Sequence, residues 1–145
     1  MGFFGVWGED REARALLDTR ASYLYAPVLH FSLDGRLALC DGTRADTLSP
    51  RIYPHLFLAA AAHSPVTLTP DTLASLYRKH GKALRAHLVT PTVFALYDSK
   101  KGRLLLGGTH GEKCFIEAQG NSILFSSAPH LLRRPMPVDF ACIDM

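Results

Sequence analysis

The side chains in this sequence best suited to nucleophilic or metal chemistry are three cysteines and seven histidines. The histidines (His30, His55, His63, His80, His87, His110 and His130) are scattered along the chain. None pairs with Cys or Glu in a spacing such as H-E-x-x-H or C-x-x-C, so neither a metal site nor a cofactor is expected. Cys40 stands directly before Asp41-Gly42, which sets a thiol beside a carboxylate and a backbone amide. Thr43 offers a hydroxyl in the same stretch. The plainer reading makes Cys40 a small buried strand residue, and it is preferred. Asp41 and Asp46 suit an acid–base pair, but two carboxylates on one loop are common in turns. Arg78, Lys79, Lys82 and Arg85 could meet an acidic partner; such a run is more often the solvated face of an amphipathic helix. Gly2 invites myristoylation, yet Val6 stands where that signal wants Ser or Thr.

These residues must be positioned by one domain. The 145 residues are 48% hydrophobic and 20% charged, an ordinary globular composition with room for a single core. No apolar run approaches the roughly 20 residues a membrane-spanning helix needs, and no signal peptide is visible. A net charge of +3 and a pI of 8.9 are too mild to imply a nucleic-acid partner. Three widely spaced cysteines do not make a disulfide scaffold, so reduced thiols in the cytoplasm are expected.

The positioning elements read as α+β. A short apolar strand spans the first eight residues, followed by a helix over Glu9–Leu17. Ser22–Ser32 reads as a strand, bent or at an edge because of Pro27. Asp34-Gly35 is a hairpin turn into Arg36–Asp41, and Gly42–Ser49 reads as a polar loop. His55–Ala62 is read as helical, and a second helix opens at Thr69-Pro70-Asp71 with Thr69 as its N-cap. Leu73, Leu76, Tyr77, Leu84 and Leu88 form its core stripe, which Gly81 divides into two short helices. Hairpins then cover Thr92–Gly107 and Lys113–Ser126. A short helix follows at Ala128–Arg133, and Pro135-Met-Pro137 opens a tail. One domain over residues 1–134 with a C-terminal tail over 135–145 is expected.

The stretch Val93-Phe-Ala-Leu-Tyr-Asp98, Gly102-Arg-Leu-Leu-Leu106, Gly111-Glu-Lys113 and Ile123-Leu-Phe-Ser-Ser127 through Leu131-Leu132 resembles a known family. It is similar to the N-terminal glutaminase domain of asparagine synthetases and other class II glutamine amidotransferases. Those sequences run F-A-L-W-D, then G-R-L-x-L-A-R-D-R-x-G-E-K-P-L-Y-Y, then L-x-F-A-S-E and an A-L-L helix. Asp41-Gly42 and Asp46 fall where the family has N-G-x-x-x-N, and Pro70-Asp71-Thr72 where it has S-D-T-E. Met1-Gly-Phe-Phe-Gly5 resembles M-C-G-I-x-G with one residue missing. The resemblance implies an Ntn-hydrolase fold, an αββα sandwich of two antiparallel sheets between helical layers.

It also implies where chemistry would sit. In the family an N-terminal Cys attacks the glutamine amide while its own α-amine serves as general base. Here that position is deleted or occupied by Met1, and a processed Gly2 would offer an amine without a nucleophile. Asp41 replaces the family's oxyanion-stabilising Asn with an anion, while Gly42 remains. Arg20 is the weak counterpart of the Arg that grips the substrate carboxylate. Asp71 matches the carboxylate that holds the substrate ammonium. The R-D-R segment has become Gly108-Thr109-His110, and Cys114 stands in place of Pro as a structural residue.

The resemblance therefore implies a vestigial site near Met1, Gly2, Asp41 and Gly42, with substrate-binding residues Arg20 and Asp71. The expected role is a non-catalytic structural or binding subunit beside an asparagine-synthetase-like, amide-forming enzyme in biosynthesis. That synthetase lies C-terminal to the glutaminase domain in the family, whereas this chain ends at Met145. The partner is thus expected on a separate polypeptide, or as a second copy in a homodimer. A glutamine-like small molecule is a further expected ligand, and a sensing module around Arg20, Gly42 and Asp71 a smaller alternative. The rival reading is a working amidohydrolase with a restored N-terminal Cys or a displaced nucleophile.

Overall fold

Alternation of apolar side chains along short strands gives each sheet two buried faces, and this pattern organises the molecule. The computed structural model describes residues 2–21, 28–32, 34–41, 45–48, 55–62 and 70–144. One sheet has six strands in the order β10-β8-β9-β1-β3-β2. These are β1 (Phe3–Trp7), β2 (Val28–Phe31), β3 (Leu37–Asp41), β8 (Cys114–Gln119), β9 (Ser122–Ser126) and β10 (Met136–Val138). The other has the order β11-β7-β6-β5-β4, from β4 (Ala45–Leu48), β5 (Leu56–Ala62), β6 (Thr92–Asp98), β7 (Arg103–Gly108) and β11 (Phe140–Asp144). Neighbouring strands pair antiparallel throughout.

Between the sheets, Phe3, Leu37 and Leu39, and Phe125 of the first meet Phe57, Val93, Tyr97 and Leu106 of the second. Their alternate neighbours face outward. Phe4, Val6, Ala38 and Cys40 pack beneath α1 (Arg11–Ala21) with Ala13 and Leu17. Leu58, Phe94, Leu96 and Leu105 pack with Leu73, Tyr77 and Leu84 of α2 (Pro70–His80) and the 3₁₀ turn Gly81–His87. Each fully buried Leu or Phe contributes roughly 1.5–3 kcal/mol, so three stacked cores account for a stable domain. The layers run helix, sheet, sheet, helix, as an Ntn-hydrolase-like fold requires.

Local signals account for the helix ends. The Asp10 carboxylate accepts the Ala13 N–H at 2.9 Å and caps α1. Pro70 opens α2, while Arg78, Lys79 and His80 complement the dipole of its last turn. Gly81, at φ +58°, divides α2 from the 3₁₀ turn.

Four readings change. His55–Ala62 is not helical: Leu56–Ala62 is β5, paired with β4 and β6. Its alanines are small enough to be buried on both faces of a sheet, and that burial overrides helix propensity. The loop read over Gly42–Ser49 contains β4, whose Ala45 pairs with Ala61. Within the segment read as a tail, β10 pairs with β8 and β11 with β7, adding an edge strand to each sheet. Pro137 is tolerated there because an edge strand leaves one row of N–H groups unpaired. Of the strand read over Ser22–Ser32, β2 covers Val28–Phe31; Ser22–Pro27 lie outside the described residues, as does the Thr69 cap.

Candidate functional site

The antiparallel register sets Phe3 opposite Asp41 and Phe4 opposite both Cys40 and Ser126. The start of β1 therefore lies beside the end of β3, and the fold brings Gly2 and the backbone of Asp41 together. Met1, Gly42 and Thr43 fall outside the described residues. Arg20 belongs to the last turn of α1, and Asp71 is exposed in the first turn of α2. These helices cover opposite outer faces of the sandwich, so the sheets separate the two elements. Asp46 is on β4 of the second sheet, whereas Asp41 ends β3 of the first.

Sequence reasoning missed the residues that close the Gly2 end. The Ser127 hydroxyl accepts the Phe3 N–H at 2.9 Å, and the Ser127 N–H donates to the Phe3 carbonyl at 3.0 Å. Ser126 Oγ donates to that same carbonyl at 3.0 Å and accepts the Ala128 N–H at 3.0 Å. Gly2 is buried at φ +100°, and a Cβ built on it would overlap the Ser127 hydroxyl. The serine side chain thus fills the space a residue-2 side chain would take. The adjacent serines directly after an apolar strand were the available signal.

The three thiols lie in three different cores. Cys40 is 1% exposed and packs beneath α1, where it is a small core residue. Cys142 lies against the core beneath α2. Cys114 alone of the three shares the inter-sheet core with Phe3, and its Sγ lies 3.6 Å from the Ser126 carbonyl. Burial pushes this thiol up to about 12, so it is protonated at neutral pH and a poor nucleophile. The Gly108-Thr109-His110 turn is held by backbone contacts. Thr109 Oγ1 donates to the Thr90 carbonyl at 2.7 Å, and Arg85 Nε reaches the Gly108 carbonyl at 2.8 Å.

The other end of β1 is more open. A cleft of about 360 Å³ is lined by Trp7, Gly8, Glu9, Asp10, Arg36 and Asn121. Beside it, the Tyr97 hydroxyl donates to Asp34 at 2.5 Å across the sheets. Burial and the hydrogen bond to the Asp34 carboxylate push Tyr97 up to about 12; the Trp7 indole N–H directed at its oxygen and the Arg36 charge draw it slightly back. Burial also raises the Asp34 carboxyl, but hydrogen bonds from Tyr97, the Arg36 N–H and Ser32 hold it below its usual value. A second buried pair, Tyr77 to Asp98 at 2.6 Å, lies beneath α2.

No protein-family model matches the chain, and no curated protein sequence matches it. Solved structures do match. One is glutamine phosphoribosylpyrophosphate (PRPP) amidotransferase from B. subtilis, complexed with ADP and GMP. It aligns with a TM-score of 0.61 at 12% identity, over 99% of this chain and 47% of that one. Another, the allosteric regulatory enzyme of purine biosynthesis, gives 0.65 at 13% identity, with 99% and 47% covered. The chain therefore spans about half the length of these matched structures. At such identities the likeness is one of fold, and the fold is Ntn-hydrolase-like, of the kind found in glutamine amidotransferases. Among the described residues, no helix is long and apolar enough to cross a membrane.

Proposed function

We propose that this chain is an amidotransferase-type domain that binds or supports a partner rather than hydrolysing glutamine itself. The partner class is an amide-forming enzyme similar to asparagine synthetase. One observation carries the reading: Cys114, the thiol that shares the inter-sheet core with Phe3, is fully buried and pushed up to about 12. A protonated thiol enclosed by apolar side chains does not attack an amide. Ser127 fills the space beside Gly2 that a side chain there would need, and this supports the same reading.

The test begins with the mass of the mature N-terminus. Glutamine hydrolysis is then assayed for the protein as it stands and with Cys inserted between Met1 and Gly2. No turnover is expected from the unmodified protein. Turnover that disappears in Cys40→Ala or Cys114→Ala would overturn the proposal and favour the amidohydrolase reading. For the partner, light scattering of co-purified material should show a complex larger than 16.0 kDa. A clean monomer that recruits nothing counts against it.

A further inference from the structure

Two of the scattered histidines meet on the surface. His80 is the last residue of α2, and His87 is the last of the 3₁₀ turn Gly81–His87. Gly81, at φ +58°, breaks the helix, and the turn that follows brings the two side chains together. Their rings stack face to face, with 3.5 Å between centroids and 13° between planes. His87 is exposed and His80 half-buried, so solvent reaches the pair. Among the described residues neither ring takes part in a hydrogen bond, unlike His110, whose Nε2 meets the Leu88 carbonyl at 3.1 Å. Partial desolvation, then His87 and the Lys79 charge, hold His80 below its usual value, so its imidazole is neutral at pH 7. Two imidazoles at contact distance with uncommitted ring nitrogens are ligands for a divalent metal such as Zn²⁺, Ni²⁺ or Cu²⁺. The stacked rings need only turn about their Cβ–Cγ bonds to aim one nitrogen each at a shared point. That torsion is broad in histidine, so the movement costs little. No group of three or more His, Cys, Asp or Glu side chains gathers among the described residues, so water completes the coordination. Lys79 opposes a cation here, which makes this a weak chelate rather than a structural centre.

We infer that His80 and His87 form a two-histidine site for a divalent transition metal on the outer, α2 layer of the sandwich. That layer covers the second sheet, whereas Gly2 adjoins β1 of the first, so the inference does not rest on the proposed function.

Zn²⁺, Ni²⁺ and Cu²⁺ are titrated by calorimetry into the full chain, free of any affinity tag. One ion per chain should bind, with Cu²⁺ tighter than Ni²⁺ or Zn²⁺ and with Mg²⁺ unable to compete. His80→Asn and His87→Asn should each weaken binding about 100-fold, because a second ligand on the same chain adds about 10²–10⁴-fold through effective concentration. His55→Asn and His130→Asn change exposed histidines elsewhere and should leave binding unaltered. In the unsubstituted protein, Zn²⁺ should shift the ring Cε1–H resonances of His80 and His87 together, saturating at one equivalent. No saturable binding of any of the three ions by about 1 mM overturns the inference. So does binding that survives either His80→Asn or His87→Asn undiminished, displacement by Mg²⁺, or Zn²⁺ shifts confined to other histidines.

Discussion

The two ends of β1 have the same neighbours, β3 and β9, yet they close in opposite ways. At the Gly2 end, two serine hydroxyls and a backbone amide take up both polar groups of Phe3, and no side-chain space is left at residue 2. At the Trp7 end, an indole donor is buried with no hydrogen-bond partner among the described residues, beside a charged cleft. The chain carries its packing where the resembled family carries chemistry, and its unsatisfied polar atom elsewhere. A fold-level likeness therefore says little about where this molecule binds anything.

The comparison breaks most visibly at Gly2. Gly2→Ala must hold an alanine at φ +100° and also displace Ser127, for an expected loss of about 3 kcal/mol. Gly35→Ala, in the hairpin turn near the other end, has φ +73° with nothing within 4 Å of the added Cβ. It carries only the left-handed strain, about 1 kcal/mol. Urea unfolding of both variants checks the difference. Equal losses would mean that the Gly2 end is not tightly filled.

Alkaline unfolding gives the next effect. Tyr97 is raised from 10.0 to about 12 in the folded chain. Its contribution is thus complete below pH 10 and is lost as pH rises toward about 12. The loss is at most about 2.8 kcal/mol, two pKa units at about 1.4 kcal/mol each. Tyr97→Phe should flatten that part of the pH profile. A remainder should persist from Tyr77, which burial and its bond to Asp98 raise as well. An unchanged profile in Tyr97→Phe would remove Tyr97–Asp34 from the account of the cleft end.

Smaller losses compare hydroxyl for hydroxyl. Ser126→Ala removes a fully buried donor to Phe3 and an acceptor for Ala128, with an expected loss of about 2 kcal/mol. Ser122→Ala, near the cleft, removes one acceptor for the Asp10 N–H, for about 1 kcal/mol. Thermal unfolding should rank Ser126→Ala below Ser122→Ala. The reverse order would make the cleft end the more tightly bonded of the two.

What the sequence discloses follows from whether a signal is local. Asp34-Gly35 declares the β2–β3 hairpin, and Pro70-Asp71 declares the start of α2, because turn and cap chemistry are written within a few residues. The resemblance leads to the two-sheet sandwich through the hairpins at β6–β7 and β8–β9. Leu56–Ala62 misleads because alanine carries no mark of the two faces it is buried on; only α2 on one side and the opposite sheet on the other supply them. Asp41 and Gly2 are joined by strand register, whereas Arg20 and Asp71 belong to helices on opposite layers. Trp7 offers no local sign at all. Its missing acceptor is a property of three dimensions, at a ring packed between the sheets against Tyr97.

The smallest expected effect is the sharpest test of that last point. Trp7→Phe deletes the buried N–H, which relieves about 1–3 kcal/mol of unsatisfied donor. It also shortens a side chain packed against Tyr97, and lost contact and cavity cost a similar amount. The two should nearly cancel, leaving stability within about 1 kcal/mol of the parent. Because the variant has no tryptophan, circular dichroism rather than fluorescence must follow its urea unfolding. A loss near 3 kcal/mol or more would mean that the indole N–H is bonded within the free protein. The two ends of β1 would then be alike in satisfaction, and the cleft would lose the donor that sets it apart.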